Sequence, residues 1–207
     1  YEKNEFKTLG TSFSKPKKME VIGAPKNTTQ IKYAGEILEK FTDFPIKFEN
    51  KTLKFYKFDM RNVFKKNSFD IVTNLFTSFG YFDDTNDEQK TISAMVKNLK
   101  QDGILIIDFM NVKKVIANLV ASEQKTIDKI TFDITRKVED GHIIKDIHIT
   151  DGEEKQHFQE KVKAITLANY TEFIANAGLK IIDIFGNYKL DNFDEEISDR
   201  LILICKK

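Results

Sequence analysis

The chain has 207 residues, 41% of them hydrophobic and 31% charged, which supplies enough apolar material for a packed core and excludes a disordered chain. Lysine plus arginine (33) almost cancels aspartate plus glutamate (32), so the basic excess of a general nucleic-acid binder is missing and no nucleic-acid partner is expected. A single cysteine, Cys205, excludes an intrachain disulfide framework and a multi-cysteine zinc site. No apolar run reaches the roughly 20 residues that a bilayer-spanning helix needs, and the first residues, YEKNEFKTLG, lack the apolar stretch of a signal peptide. Residence in the cytoplasm, with no membrane partner, is the expectation.

Residues 1–18 are polar and weakly patterned. Met19–Ile22 predicts a short strand, ended by Gly23-Ala24-Pro25. Ile31, Ala34, Ile37, Leu38 and Phe41 recur at helical spacing and predict a helix over 29–41. Lys54–Phe58 predicts a strand followed by Asp59-Met60-Arg61. Phe69–Asn74 predicts a second, buried strand that opens into a loop carrying Thr77, Ser78, Gly80 and Tyr81. Open α/β sheets bind ligands at such strand ends. Ile92, Met95, Val96 and Leu99 give one apolar face to a helix over 87–99, capped by Thr85 or Asn86. The continuous apolar run Gly103–Phe109 suits a central strand buried on both faces, and Val112–Leu119 predicts a short helix after it.

Strand–helix–strand alternation from Lys54 to Phe109 is the pattern of a parallel sheet with crossover helices. The pattern then changes. Lys129–Val138, Ile143–Thr150 and Lys155–Ile165 alternate with period two, separated by Asp140-Gly141 and Asp151-Gly152. Both dipeptides signal hairpins, so a three-stranded antiparallel insert is expected at about 129–165. A helix over 166–177 and strands at Leu179–Phe185 and Arg200–Cys205 complete a chain expected to form one domain over 1–207.

The segment LKFYKFDMRNVFKKNSFDIVTNLFTSFGYFDD, followed by a helix and NLKQDGILIIDFMN, resembles class I S-adenosylmethionine-dependent methyltransferases, most closely a small bacterial branch, over about residues 53–207. The resemblance implies a Rossmann-like α/β fold whose sheet is mostly parallel with an antiparallel C-terminal strand. In it, Lys54–Phe58, Phe69–Asn74 and Gly103–Phe109 are the third, fourth and fifth strands. It implies that Asp59 accepts a hydrogen bond from the adenine amino group, a role suited to an acceptor-only carboxylate, with Met60 packed on the ring. It places Asn74 and Leu75 beside the methionine part of the cofactor. Ser78, Phe79, Gly80 and Tyr81 then form the wall between cofactor and acceptor. The glycine-rich turn that such enzymes carry after their first strand is not written before Lys54, where the glycines are Gly10, Gly23 and Gly35. Counting back places Glu36 near the position of the ribose-binding carboxylate.

Other residues have two readings at this level. Asp108 and Asn111, at the end of the fifth strand, either touch the acceptor or anchor neighbouring loops, since a buried carboxylate without a partner is costly. Phe76, Phe79, Tyr81 and Phe82 either line an acceptor wall or form a small core under the loop. His142 and His148 share parity on one strand, but no cysteine or suitably spaced acid accompanies the histidines, so no metal is expected. The expected activity is methyl transfer from S-adenosylmethionine to a small-molecule acceptor, with S-adenosylhomocysteine as product and no dedicated general base required. The alternative is a methyltransferase-fold protein without catalysis, acting as a binding or dimerisation module through the edges of the insert.

Overall fold

The run from Leu99 to Met110 organises the larger part of the molecule. In a computed structural model the described residues are 19–23, 53–84 and 86–207, and the chain divides into two units, Tyr1–Phe58 and Asp59–Lys207. In the first unit, β1 (Met19–Gly23) runs parallel to β2 (Leu53–Lys57), with Met19 opposite Leu53 and Gly23 opposite Lys57. Both strands fall within one residue of their predicted positions. The predicted helix over 29–41, and with it Glu36, lies outside the described residues.

The second unit begins with β3 (Phe69–Asn74), α1 (Asp87–Asn98) and β4 (Leu99–Met110). After α2 (Val112–Ala117) come four antiparallel strands, β5 (Ser122–Ile127), β6 (Ile130–Glu139), β7 (His142–Asp151) and β8 (Glu154–Lys163). The unit closes with α3 (Leu167–Asn176), β9 (Lys180–Phe185) and β10 (Arg200–Lys206). The main sheet has the order β3-β4-β10-β9. β3 and β4 are parallel, with Asn74 opposite Ile107, and β10 is antiparallel to both β4 and β9. This is the expected arrangement of parallel strands with one antiparallel C-terminal strand.

Burial explains why β4 sits centrally. Leu105, Ile107 and Phe109 are fully buried, as are Leu201 and Leu203 of β10. Ile92, Met95 and Val96 of α1 and Tyr170 and Ile174 of α3 join them in one core. β3 departs from the predicted buried strand: only Asn74 is buried, while Asp70 and Thr73 are exposed. Asp70 lies at the surface, where it pairs with Lys100 at 2.8 Å. At α3, Thr166 and Asn169 cap the helix reciprocally: the Asn169 N–H donates to Thr166 Oγ1 at 3.3 Å and the Thr166 N–H to Asn169 Oδ1 at 3.0 Å.

The insert differs from its prediction in one respect. It has four strands, and it begins at Ser122 where the sequence suggested about residue 129. The additional strand, SEQKTI, is almost wholly exposed, so no apolar alternation marks it. The turn that joins it to β6, Asp128-Lys129, has positive φ at both residues (48° and 71°). That is the geometry of a tight hairpin turn without the glycine that ordinarily signals one.

Candidate functional site at the mouths of β3 and β4

Asn74 ends β3 and is 5% exposed; its side-chain Oδ1 is buried with no hydrogen-bond partner among the described residues. A buried carbonyl oxygen without a donor is unusual in a native protein and calls for an explanation. The loop that follows leaves the strand through two residues in the left-handed region, Phe76 (φ 58°) and Thr77 (φ 60°). Neither is a glycine, and each costs on the order of 1–2 kcal/mol there.

Asp108, in the adjacent part of β4, holds that conformation in place. The Phe76 N–H donates to Asp108 Oδ2 at 2.9 Å, and the Thr77 N–H donates to the Asp108 carbonyl at 3.1 Å. Tyr188 Oη donates to the same Oδ2 at 2.9 Å, and Arg200 Nε donates to Oδ1 at 2.7 Å. Arg200 Nη2 also reaches Thr77 Oγ1 at 3.2 Å. A carboxylate that is 1% exposed thus has a cation, a hydroxyl and a backbone amide to offset the cost of its burial. Burial, with the hydrogen bond to Asp108 behind it, raises the Tyr188 phenol above its ordinary value.

The remaining candidates separate into two groups. Phe79, at 1% exposure, belongs to the core, where its ring packs on Phe82 and Tyr170 at centroid distances of 6.0 and 5.7 Å. Of the aromatics read as either wall or core, Phe79 and Phe82 are core, Phe76 is 74% exposed, and Tyr81 packs half-buried against the core. Burial raises the Tyr81 phenol, and Glu160 of β8 adds to the shift. Gly80 has a φ of +84°, and a Cβ there would lie 3.2 Å from Ile165 Cδ1. Its carbonyl accepts the Lys163 N–H at 2.8 Å, tying the loop to the end of β8. Ser78 is exposed, its Oγ donating to the Leu75 carbonyl at 2.6 Å. Asn111 is buried, and its Nδ2 donates to the carbonyls of Glu195 and Ser198, both at 2.8 Å, so it fastens the segment before β10.

Asp59 and Met60 lie where the second unit begins. Arg61 grips the Asp59 carboxylate through Nε (3.0 Å to Oδ2) and Nη2 (2.6 Å), and reaches Asp87 Oδ2 through Nη1 at 2.7 Å. The two carboxylates raise the Arg61 guanidinium. Burial alone would raise Asp87, but its hydrogen bonds from Arg61 and Lys90 prevail and hold it below the usual carboxylate range. Met60 packs half-buried against the core. A buried ion pair, Lys163 Nζ to Glu88 Oε2 at 2.8 Å, ties the end of β8 to the first turn of α1. Sequence reading singled out Asp108 but not Arg200 or Tyr188. The one available signal was a lone arginine opening the apolar run LILIC.

No family model matches the sequence, and no curated protein matches it. Solved structures do match the fold. A S-adenosylmethionine-dependent methyltransferase from Clostridium acetobutylicum ATCC 824 aligns with a TM-score of 0.68 at 17% identity, over 91% of this chain and 75% of its own. The CcbJ methyltransferase from Streptomyces caelestis aligns at 0.70 and 11% identity, over 89% and 73%. SAM-bound CalS10, an amino pentose methyltransferase from Micromonospora echinaspora, aligns at 0.58 and 14% identity, over 90% and 73%. At these identities the likeness establishes architecture: this chain has the Rossmann-like α/β fold of those methyltransferases.

Proposed function

We propose that the chain is a S-adenosylmethionine-dependent methyltransferase with a small-molecule acceptor. The observation that carries this reading is the unpartnered Oδ1 of Asn74, buried at a strand mouth beside a loop held in a strained conformation. Strain of this kind persists where surrounding contacts over-determine it, and it gathers at ligand sites. An amide oxygen without a donor fits the methionine end of the cofactor, whose ammonium group can only donate.

When bound, S-adenosylmethionine supplies a methyl group already activated on a sulfonium. The protein's residues then have to bind, orient and exclude water. Asp59, oriented by Arg61, would accept from the adenine amino group, and Met60 would pack on the ring. Asn74 and Leu75 would hold the methionine end. Ser78 and Tyr81 would face the acceptor. Phe79, Gly80, Asp108 and Asn111 act one layer back, setting the loop and the segment before β10. With the methyl group so activated, alignment of the acceptor nucleophile is the larger part of catalysis, and a rigid loop suits it. The CalS10 neighbour, an amino pentose methyltransferase, supports a small acceptor.

The test is methyl transfer from tritium-labelled S-adenosylmethionine to a panel of small amines, amino sugars and hydroxylated metabolites. Label transferred to any acceptor, and abolished by S-adenosylhomocysteine, is the expected result. A folded sample that transfers no label and takes up no S-adenosylhomocysteine at millimolar concentration overturns the proposal.

A further inference from the structure

A cleft of about 300 Å³ lies where the first turn of α1, the β6–β7 turn, the end of β8 and α3 meet, and Glu88, Asp140, Lys163, Asn169 and Phe173 contribute to its lining. A volume of this order takes a small molecule. No residue of the strand mouths lines it. Glu88 forms its floor. That side chain is 2% exposed, so its carboxylate has given up water and needs partners to offset the loss. Its Oε2 accepts from Lys163 Nζ at 2.8 Å, while Oε1 is buried with no hydrogen-bond partner among the described residues. A carboxylate oxygen only accepts, so the unmet need is for a donor.

Charge and shape narrow the donor. Lys163 Nζ also donates to the Asp84 carbonyl at 3.2 Å, which fixes it on the Oε2 side of Glu88. Glu88 and Asp140 bring two negative charges to the lining and Lys163 one positive charge. With His142 uncharged, the cleft is one positive charge short of neutral. The opposite wall is apolar: Ala164, Ile165 and Phe173 line it, Ile165 buried and the other two half-buried. Among the described residues no three or more His, Cys, Asp or Glu side chains converge on one metal position, so a bare metal ion lacks ligands here.

We propose that this cleft binds a small organic cation, a primary ammonium carried on a short apolar stem. The ammonium donates to Glu88 Oε1, and its charge balances the second carboxylate, Asp140, at the exposed rim. A charge-assisted hydrogen bond of this kind is stronger than one between neutral groups. The stem lies against Ala164, Ile165 and Phe173. The site stands independently of the methyltransferase reading, since it uses none of the residues assigned to the cofactor or the acceptor.

Titration of the ¹⁵N-labelled full chain with n-butylammonium chloride, followed through amide chemical shifts, tests the site. The expected result is saturable shifts at Gly141, Ala164 and Asn169, with n-butanol and sodium butyrate binding roughly tenfold more weakly or less. Glu88→Gln is expected to lower the affinity by about tenfold or more, as the loss of a hydrogen bond to a charged group does. Asp140→Asn, at an exposed position that the fold does not depend on, is expected to lower it by about threefold. If Glu88→Gln does not fold, Asp140→Asn and the comparison of the three probes on the wild-type chain decide. Absence of saturable shifts at tens of millimolar n-butylammonium overturns the proposal, as do shifts confined to other residues. Equal binding of n-butanol, or an affinity unchanged in Asp140→Asn or in folded Glu88→Gln, overturns it too.

Discussion

Two sets of turns in this molecule leave the ordinary backbone regions, and they do so for opposite reasons. In two of the three insert turns a positive φ falls on glycine, Gly141 (69°) and Gly152 (58°), in dipeptides whose local preference already favours the hairpin. At the mouth of β3, the left-handed residues are a phenylalanine and a threonine, which resist that conformation. The insert turns are made by their own residues. The strand-mouth loop is imposed by Asp108, Tyr188 and Arg200, which are 32, 80 and 92 residues apart in the hydrogen bonds that hold it. Conformation set locally at one place and by distant contacts at another is what distinguishes scaffold from candidate site in this chain.

The largest effect is expected where the imposed conformation is unpinned. Asp108→Asn leaves Arg200 without its carboxylate while keeping the side chain's shape. Breaking a buried pair on one side costs about 3 kcal/mol, and urea denaturation should show a loss of that order. A loss below about 1 kcal/mol would mean that the loop is held by something other than the Asp108 cluster.

A smaller effect of opposite sign is expected at Phe76. Its side chain is 74% exposed and its φ of 58° is one that glycine adopts without penalty. Phe76→Gly should therefore stabilise the fold by about 1 kcal/mol, while weakening whatever the rigid loop binds. Destabilisation instead would show that the ring packs on something that matters. The smallest effect is expected in the insert, at Lys129, whose φ of 71° sits in a turn made without glycine. Lys129→Gly should raise stability by about 0.5 kcal/mol, because the greater freedom of glycine in the unfolded chain offsets part of the relief. No change in the thermal midpoint would show that the turn carries no strain.

The same contrast explains what was legible in the sequence. Strands β6, β7 and β8 and helix α1 follow from apolar periodicity, β4 from its continuous apolar run, and the antiparallel C-terminal strand from the family resemblance. β5 was missed because SEQKTI has no apolar face and its turn has no glycine. β3 was read as more buried than it is: Asp70 and Thr73 are exposed, and only Asn74 is buried. The roles of Asp108 and Asn111 stayed open because their partners, Arg200 and Tyr188 for the one and the 195–199 segment for the other, are brought near by folding and by no local spacing. Phe79 and Phe76 show the same limit: the two aromatics stand three residues apart in one loop, and one is core while the other is in solvent.

The central claim is that the orphaned oxygen of Asn74 is a cofactor contact. Its most direct test is the affinity for S-adenosylhomocysteine, measured by calorimetry on the wild-type chain and on Asn74→Ala, with the fold of both verified by circular dichroism. The account predicts that the wild-type chain binds and that Asn74→Ala binds at least tenfold more weakly, in keeping with the loss of about 1.5 kcal/mol or more from a hydrogen bond to a charged group. Equal affinities would contradict it, as would a folded wild-type chain that does not bind at all.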